Sequence, residues 1–162
     1  MLDEIKNRLL PSNNKAGISN QRALATIKGA SVAAAGVAVS PIPFTDAAIL
    51  IPGQTAMIIE LYRLYGRSIT EGAIKGILSS LATTTVARGV VGNLVKFIPG
   101  IGTITGGAIN ATVAYTFTNS MGMAVAQALE AGELDTPGDL KDVILAAFNF
   151  RRSSKHSKKA QK

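Results

Sequence analysis

The feature that most constrains this chain is an uncharged stretch of 33 residues, 97–129, in which small side chains recur at every fourth position. Residues four apart lie on one face of an α-helix, so these side chains form a stripe. A stripe of Gly, Ala, Ser and Thr lets a second helix backbone approach closely, as happens where helices pair inside membranes. The stretch 68–96 carries a similar stripe. The sequence therefore predicts two long helices that form a hairpin around Pro99-Gly100.

We expect this hairpin of small residues to be the centre of an all-α fold with five or six helices. The further helices are predicted at 2–10, 19–39, 46–65 and 137–150, because apolar residues recur there at helical spacing. Pro52 lies inside one of them and predicts a kink, since proline removes a backbone donor and clashes one turn back. The residues predicted to pack the helices together are Gly72, Gly76, Ser80, Gly102, Gly106 and Gly122.

Several residues mark where the predicted helices begin and end. Ser19 is a candidate N-cap, the stretch Ser68-Ile69-Thr70-Glu71 matches a capping box, and Thr136-Pro137 is a third start signal. Gly66 and Gly132 are predicted to end the helices that precede them, because glycine adopts the left-handed conformation that terminates a helix. These signals predict the order of elements, but not how they pack.

Charge divides the chain into a nearly neutral body and a basic tail. The net charge is +7, and six of the 17 Lys and Arg residues lie in 151–162, where there is no acid. We expect three parts: a short helix and loop at 1–18, one helical domain at 19–150, and a disordered basic tail at 151–162. Each cation can add about 1 kcal/mol of attraction to an anionic membrane surface. The predicted headgroup contacts are Arg151, Arg152, Lys155, Lys158 and Lys159.

No arrangement of residues in the sequence indicates a catalytic, cofactor or metal site. The chain has no cysteine and a single histidine, in the tail, so it lacks the usual nucleophile–base pairs and the clustered ligands that metals need. Asp46 and Arg88 remain as candidate partner-binding residues. The structural alternative for Asp46 is an N-cap, and for Arg88 a solvated side chain. A neutral body with few aromatic residues argues against nucleic acid as a partner.

Four stretches together resemble a known family. They are 42–58, which begins Ile-Pro-Phe-Thr-Asp, then Leu64-Tyr65-Gly66, then Phe97-Ile98-Pro99-Gly100-Ile101-Gly102, and then Gly106-Gly107-Ala108-Ile109. They resemble a bacterial helical domain of unknown function that often lies C-terminal to Era-like GTPase domains. The resemblance implies an all-helical module, membrane association and a working link to GTPases. It implies no reaction. No Gly-x-x-x-x-Gly-Lys-Ser/Thr phosphate loop occurs, so a GTPase partner would be a separate chain.

The leading hypothesis is therefore a non-enzymatic, membrane-associated helical module that acts as partner or anchor for a GTPase. We expect it at the cytoplasmic side of a bacterial inner membrane, in contact with lipids and with a transmembrane helix as one possible mode of attachment. Two alternatives stay open. One is a pore-forming or membrane-perturbing protein, which uncharged Gly-rich helices and a cationic end also suit. The other is a soluble scaffold whose apolar faces are buried in a homo-oligomer.

Overall fold

The structure is a computed structural model, and it describes residues 18–38, 46–87 and 106–147. These ranges contain five helices and no strand, so the all-α prediction is confirmed. The helices are α1 (Gln21–Ala38), α2 (Asp46–Leu64), α3 (Glu71–Ala87), α4 (Gly106–Ala131) and α5 (137–147). The predicted helix at 2–10, the hairpin turn at 97–102 and the basic tail lie outside the described residues.

The core lies where α4 crosses α1 and α2. Its largest fully buried side chains include Ile27 of α1, Ile58 and Leu61 of α2, and Met121 of α4. The most extensive interface is that between α1 and α4, while α3 packs on α2. The centre of the bundle therefore differs from the predicted hairpin. In the described part of the chain, the main partner of α4 is α1 and not α3.

The two predicted glycine terminators are confirmed, and both form the same motif. Gly66 has φ +69° and Gly132 has φ +74°. Residues other than glycine rarely adopt this left-handed backbone conformation. Each follows a helix whose last carbonyls accept bonds from the next two N–H groups. Arg67 N donates to Tyr62 O at 2.8 Å, and Glu133 N donates to Ala128 O at 2.9 Å. This is the Schellman pattern, which satisfies carbonyls that the helix itself leaves open.

The N-cap of α1 is one residue later than predicted. Asn20 Oδ1 accepts bonds from Arg22 N at 3.0 Å and Ala23 N at 3.2 Å, so Asn20 is the cap. Ser19 was the predicted cap, but its backbone N–H and its hydroxyl both donate to the Glu130 carboxylate instead. Ser19 therefore bonds to an acid that is distant in the sequence, and local sequence signals do not predict this partner.

The capping box predicted at 68–71 is also corrected. Thr70 caps α3, because its Oγ1 accepts a bond from Ala73 N at 3.3 Å. Glu71 forms an ion pair with Lys75 one turn along the helix and does not reach back to Ser68. A reciprocal box does occur at α5, where Thr136 Oγ1 accepts from the N–H of the third helical residue. The carboxylate of that residue accepts bonds from the backbone and hydroxyl of Thr136 in return.

Candidate functional site

Four helix ends meet at one end of the bundle, which we call the polar junction (Ser19, Tyr65, Arg67, Glu130 and Asp135). Ser19 N lies 3.2 Å from Glu130 Oε1, which joins the start of α1 to the end of α4. Tyr65 Oη donates to Glu130 Oε2 at 3.5 Å, so the end of α2 reaches the same carboxylate. Arg67 Nη1 bonds Asp135 Oδ1 at 2.9 Å, just before α5. The junction therefore holds together the start of α1, the ends of α2 and α4, and the segment that leads into α5.

Arg67 holds the two interhelical links of the junction together. Besides the ion pair with Asp135, its Nη1 donates to the Leu134 carbonyl at 2.6 Å. Leu134 is buried, so this carbonyl has little access to water. The link between α2 and α3 is thereby tied to the link between α4 and α5. Hydrogen bonds from charged donors contribute more to stability than neutral ones do. The bonds of Arg67 are therefore the strongest hydrogen-bonded connection between the two links.

The junction perturbs three titratable groups. Burial raises the pKa of the Tyr62 phenol, partly offset by Arg67, while Asp139 adds to the rise. Burial also raises the pKa of Tyr65, and Glu130 reinforces the effect through its charge and their hydrogen bond. The pKa of Asp139 is lowered because its carboxylate accepts hydrogen bonds from the Thr136 hydroxyl and backbone. Both phenols therefore stay protonated at neutral pH, and neither is poised as a base.

An open pocket of about 490 Å³ lies at the junction, between the two links. Its polar lining comes from Tyr62, Arg67, Ser68, Thr70, Asp135 and Thr136. The Arg67 guanidinium is already paired with the Asp135 carboxylate. The Thr136 hydroxyl donates to Asp139 Oδ2 at 2.8 Å, and the lowered pKa of Asp139 makes that carboxylate a weak base. Among the described residues, no three metal-ligating side chains converge.

Charge in the described helices lies in the half of the bundle near the junction, with one exception, Asp46. In α1 the last charged residue is Lys28, and in α3 it is Lys75. The charges of α2 lie at its first residue, Asp46, and from Glu60 onward, and α4 has none before Glu130. Apart from Asp46, the half opposite the junction therefore consists of uncharged helix segments. We call this the uncharged half (29–38, 47–59, 76–87 and 106–129).

A shallow groove of about 290 Å³ opens on the uncharged half, between α1 and α2. Gly29, Ala33 and Gly53 line it, so its walls are low, and Gln54 lies at its base. Gln54 is buried and donates from Nε2 to Thr118 Oγ1 of α4 at 3.2 Å. The groove is thus apolar at its walls. Its one amide is engaged with the core, which leaves a surface suited to apolar contacts.

Two large apolar side chains of α1 are exposed, and one of them, Val37, lines the groove. Val32 is 56% exposed and Val37 is 37% exposed, and within the described residues no other large apolar side chain reaches this degree of exposure. Both belong to the uncharged part of α1. Exposed apolar groups gathered at one place indicate a contact surface more strongly than scattered ones do. None of the described helices combines the length and apolar character needed to cross a bilayer.

The small-residue stripe of α4 faces the core. Ala114, Thr118 and Ala126 are buried, and Ala114 packs against Ala34 and Ala38 of α1. Gly122 is the tightest point of the stripe. A Cβ added there would lie 2.9 Å from Ile27 Cγ1 and 3.0 Å from Met57 Sδ. Only glycine therefore fits between α1 and α2 at this position without displacing a buried side chain.

The other residues predicted to pack helices have different positions. Gly72, Gly76 and Ser80 lie on the exposed side of α3, and a Cβ at either glycine would meet no described atom within 4 Å. Gly106 is the first residue of α4. Gly102 lies outside the described residues. A packing role for the α3 stripe stays a prediction.

Of the remaining predicted site residues, only Asp46 lies within the described part of the chain. Asp46 is the first residue of α2, as expected from its position after the prolines. Arg88 lies outside the described residues, as do Arg151, Arg152, Lys155, Lys158 and Lys159. A role for any of them in binding stays a prediction.

Sequence reasoning missed Arg67 and Val32, for different reasons. Arg67 follows the terminating Gly66 directly, which is a signal for its position but not for its partner 68 residues away. Val32 lies in a run of small apolar residues, and without polar neighbours no periodicity shows which side of the helix is exposed. Both become visible only once the helices are packed.

Comparison with known proteins identifies the family of this chain. The Magnetosome membrane protein 22 of Magnetospirillum gryphiswaldense (strain DSM 6361 / JCM 21280 / NBRC 15271 / MSR-1) is 30% identical over 110 residues. The alignment covers 65% of this chain and 56% of that relative, so the chain spans about half the relative's length. No solved structure matches the chain. Neither the relative's name nor the family's description states a reaction. Residues 8–153 match the family described as Domain of unknown function (DUF697), and the chain belongs to that family.

Proposed function

We propose that this chain is a non-enzymatic helical module that associates with membranes and serves as partner or anchor for a separate GTPase. The observation that carries the membrane part is the concentration of charge in one half of the bundle, with Asp46 as the one charged residue among the described helices at the other end. Apolar surface free of charge enters a lipid interface at low cost, whereas each charge taken into hydrocarbon costs about 2.5–3.5 kcal/mol. A relative named as a membrane protein supports the same assignment.

The basic tail supplies the second part of the proposal. Its six cations would meet anionic headgroups on the cytoplasmic side, and the attraction would fall as salt is raised. One apolar surface or one short cationic segment gives weak, reversible binding, whereas two signals together give stable attachment. The proposed module therefore uses the uncharged half for apolar contact and the tail for electrostatic attraction.

Sedimentation with vesicles tests this proposal on the full chain. We expect the protein to pellet with vesicles of phosphatidylcholine and phosphatidylglycerol, and less with phosphatidylcholine alone. A variant that ends at Phe150 should lose most of the difference between the two lipids but keep some binding. Protein that remains in the supernatant with both vesicle types contradicts the membrane proposal. Dye release from the vesicles at low protein concentration would favour the pore-forming alternative instead.

The GTPase link rests on the family resemblance and needs its own test. Full chain immobilised on beads is incubated with bacterial lysate that contains photoreactive, labelled GTP. We expect a labelled polypeptide to be retained, and excess unlabelled GTP to remove the label. A bead-bound DUF697 chain that retains no labelled polypeptide above empty beads contradicts the GTPase part and leaves the membrane part standing.

A further inference from the structure

We propose that the exposed face of α1 is the surface that contacts an anionic lipid bilayer, with its apolar C-terminal half in the acyl region and its cations at the phosphates. We call this surface the α1 face (Arg22, Lys28, Val32, Gly36 and Val37). The proposal rests on the membrane association proposed above and specifies which part of the molecule meets the lipid. Its evidence is the order of side chains along one helix.

The α1 face is continuous along the helix. At about 100° per residue, its five members fall within half of the helix circumference. The opposite half holds Ile27, Ala34 and Ala38, which are buried against α2 and α4. Packing of the core therefore determines which side of α1 is outward.

Charge and apolar character are separated along this face. Arg22 and Lys28 occupy the half nearer the junction, and Val32 and Val37 occupy the other half, with glycine and alanine between them. Lys28 precedes Val32 by four residues and Val37 by nine, or about 6 and 13 Å along the axis at 1.5 Å per residue. Interfacial helices bury their apolar side about 5–10 Å into the lipid. These axial distances are similar to the immersion depth. If α1 lies at a slant to the membrane plane, Lys28 is at the depth of the headgroups and the two valines are deeper, among the acyl chains.

The two cations of the α1 face differ from the other cations of the bundle that pair with acids. Arg63, Arg67 and Lys75 each form an ion pair within the bundle. Neither Arg22 nor Lys28 forms an ion pair with any residue that the structure describes. Long cationic side chains can lay their methylene stems on apolar surface and direct the charge to phosphate. The charge of the face therefore complements an anionic bilayer.

The groove that Val37 lines extends this contact surface onto α2. Gly29, Ala33 and Gly53 leave an apolar depression next to Val37, on the same uncharged half. Asp46 begins α2 at the end of the bundle where α1 finishes, which disfavours insertion of that end straight into hydrocarbon. The proposed contact therefore runs along the side of α1 and not through the end of the bundle.

Single-cysteine reporters test the assignment, because the chain contains no cysteine of its own. Val32→Cys labels the α1 face, and Ser79→Cys labels an exposed position on α3, which packs on α2 and away from that face. Each variant carries an NBD fluorophore and is added to vesicles of phosphatidylcholine and phosphatidylglycerol with brominated acyl chains. We expect a blue shift and quenching at position 32 and little change at position 79.

The outcomes separate this proposal from the one it rests on. If the protein sediments with vesicles but position 79 responds and position 32 does not, the α1 face is wrong and membrane association stands. If the protein does not sediment, both proposals fail.

Charge variants give a second readout. Val32→Glu should weaken vesicle binding about tenfold, as expected for a carboxylate at a partly immersed position. Ala25→Glu, seven residues earlier on the same face, is the matched control and should change it less.

Removing the cations tests the headgroup contact. Arg22→Gln and Lys28→Gln should each weaken binding to the anionic vesicles roughly fivefold at low salt. Binding to phosphatidylcholine vesicles should not change. Equal losses on both lipids, with an unchanged circular dichroism spectrum, contradict the contact of these cations with phosphate.

Discussion

Replacing Gly122 with alanine tests the closest helix contact in the bundle. In an open helix, alanine in place of glycine stabilises by about 1 kcal/mol, because it restricts the unfolded chain. At position 122 the new Cβ would lie 2.9 Å from Ile27 Cγ1, and Ile27 is 1% exposed and branched close to its backbone. Overpacking of this kind costs about 1–3 kcal/mol. The net expectation is a loss of up to about 2 kcal/mol in the free energy of unfolding.

Gly76→Ala is the matched control, because position 76 lies inside α3 and a Cβ there would meet no described atom within 4 Å. It should stabilise by about 1 kcal/mol. The difference between the two variants removes the common propensity effect and leaves the overpacking cost, about 1–3 kcal/mol. Urea unfolding followed by circular dichroism measures both. If Gly122→Ala stabilises as much as Gly76→Ala, α1 and α4 are not in close contact at this point.

Two further predictions concern the polar junction. Arg67→Ala should lower the free energy of unfolding by about 1–3 kcal/mol, because it leaves a buried carbonyl without its donor; a urea midpoint equal to wild type contradicts the tie between the links. Asp139 has a lowered pKa, so its stabilising effect should be present above about pH 4, its unfolded value, and be lost as pH falls through the folded value. A carboxyl NMR titration in which Asp139 has an ordinary or raised pKa contradicts this; Asp139→Asn should flatten the acid limb of the stability curve.

The positions of helix termini were predicted correctly where the residues that determine them are close together in the sequence. Gly66 and Gly132 terminate helices through their own backbone preference, and Thr136 caps α5 through a residue three positions away. The same reasoning placed the caps of α1 and α3 wrongly, because two suitable side chains stand close together in each case. Asn20 and Thr70 are the caps that the structure uses. The neighbouring Ser19 has a partner 111 residues away, and no local rule includes that partner.

The small-residue stripes show a second limit. The pattern around Gly122 and the pattern around Gly76 are alike in sequence, yet the first is buried and the second is exposed. A stripe permits close packing without specifying the partner, so it cannot tell which of two helices lies in the core. The absence of charge from residues 29–38 of α1 can be read directly from the sequence. The exposed side of that stretch follows only from the positions of α2 and α4.

The pairing of α1 with α4 has a consequence for how the protein is made. The largest interface of α1 is with a helix that ends at Ala131, so 93 residues must follow Ala38 before that partner is complete. At roughly 5–20 residues per second, translation leaves this side of α1 uncovered for about 5–20 s. During that interval the nascent chain exposes an alanine-rich helix whose C-terminal half is uncharged to the ribosome surface and to chaperones. The core around α1 is therefore completed only after α4 has been synthesised.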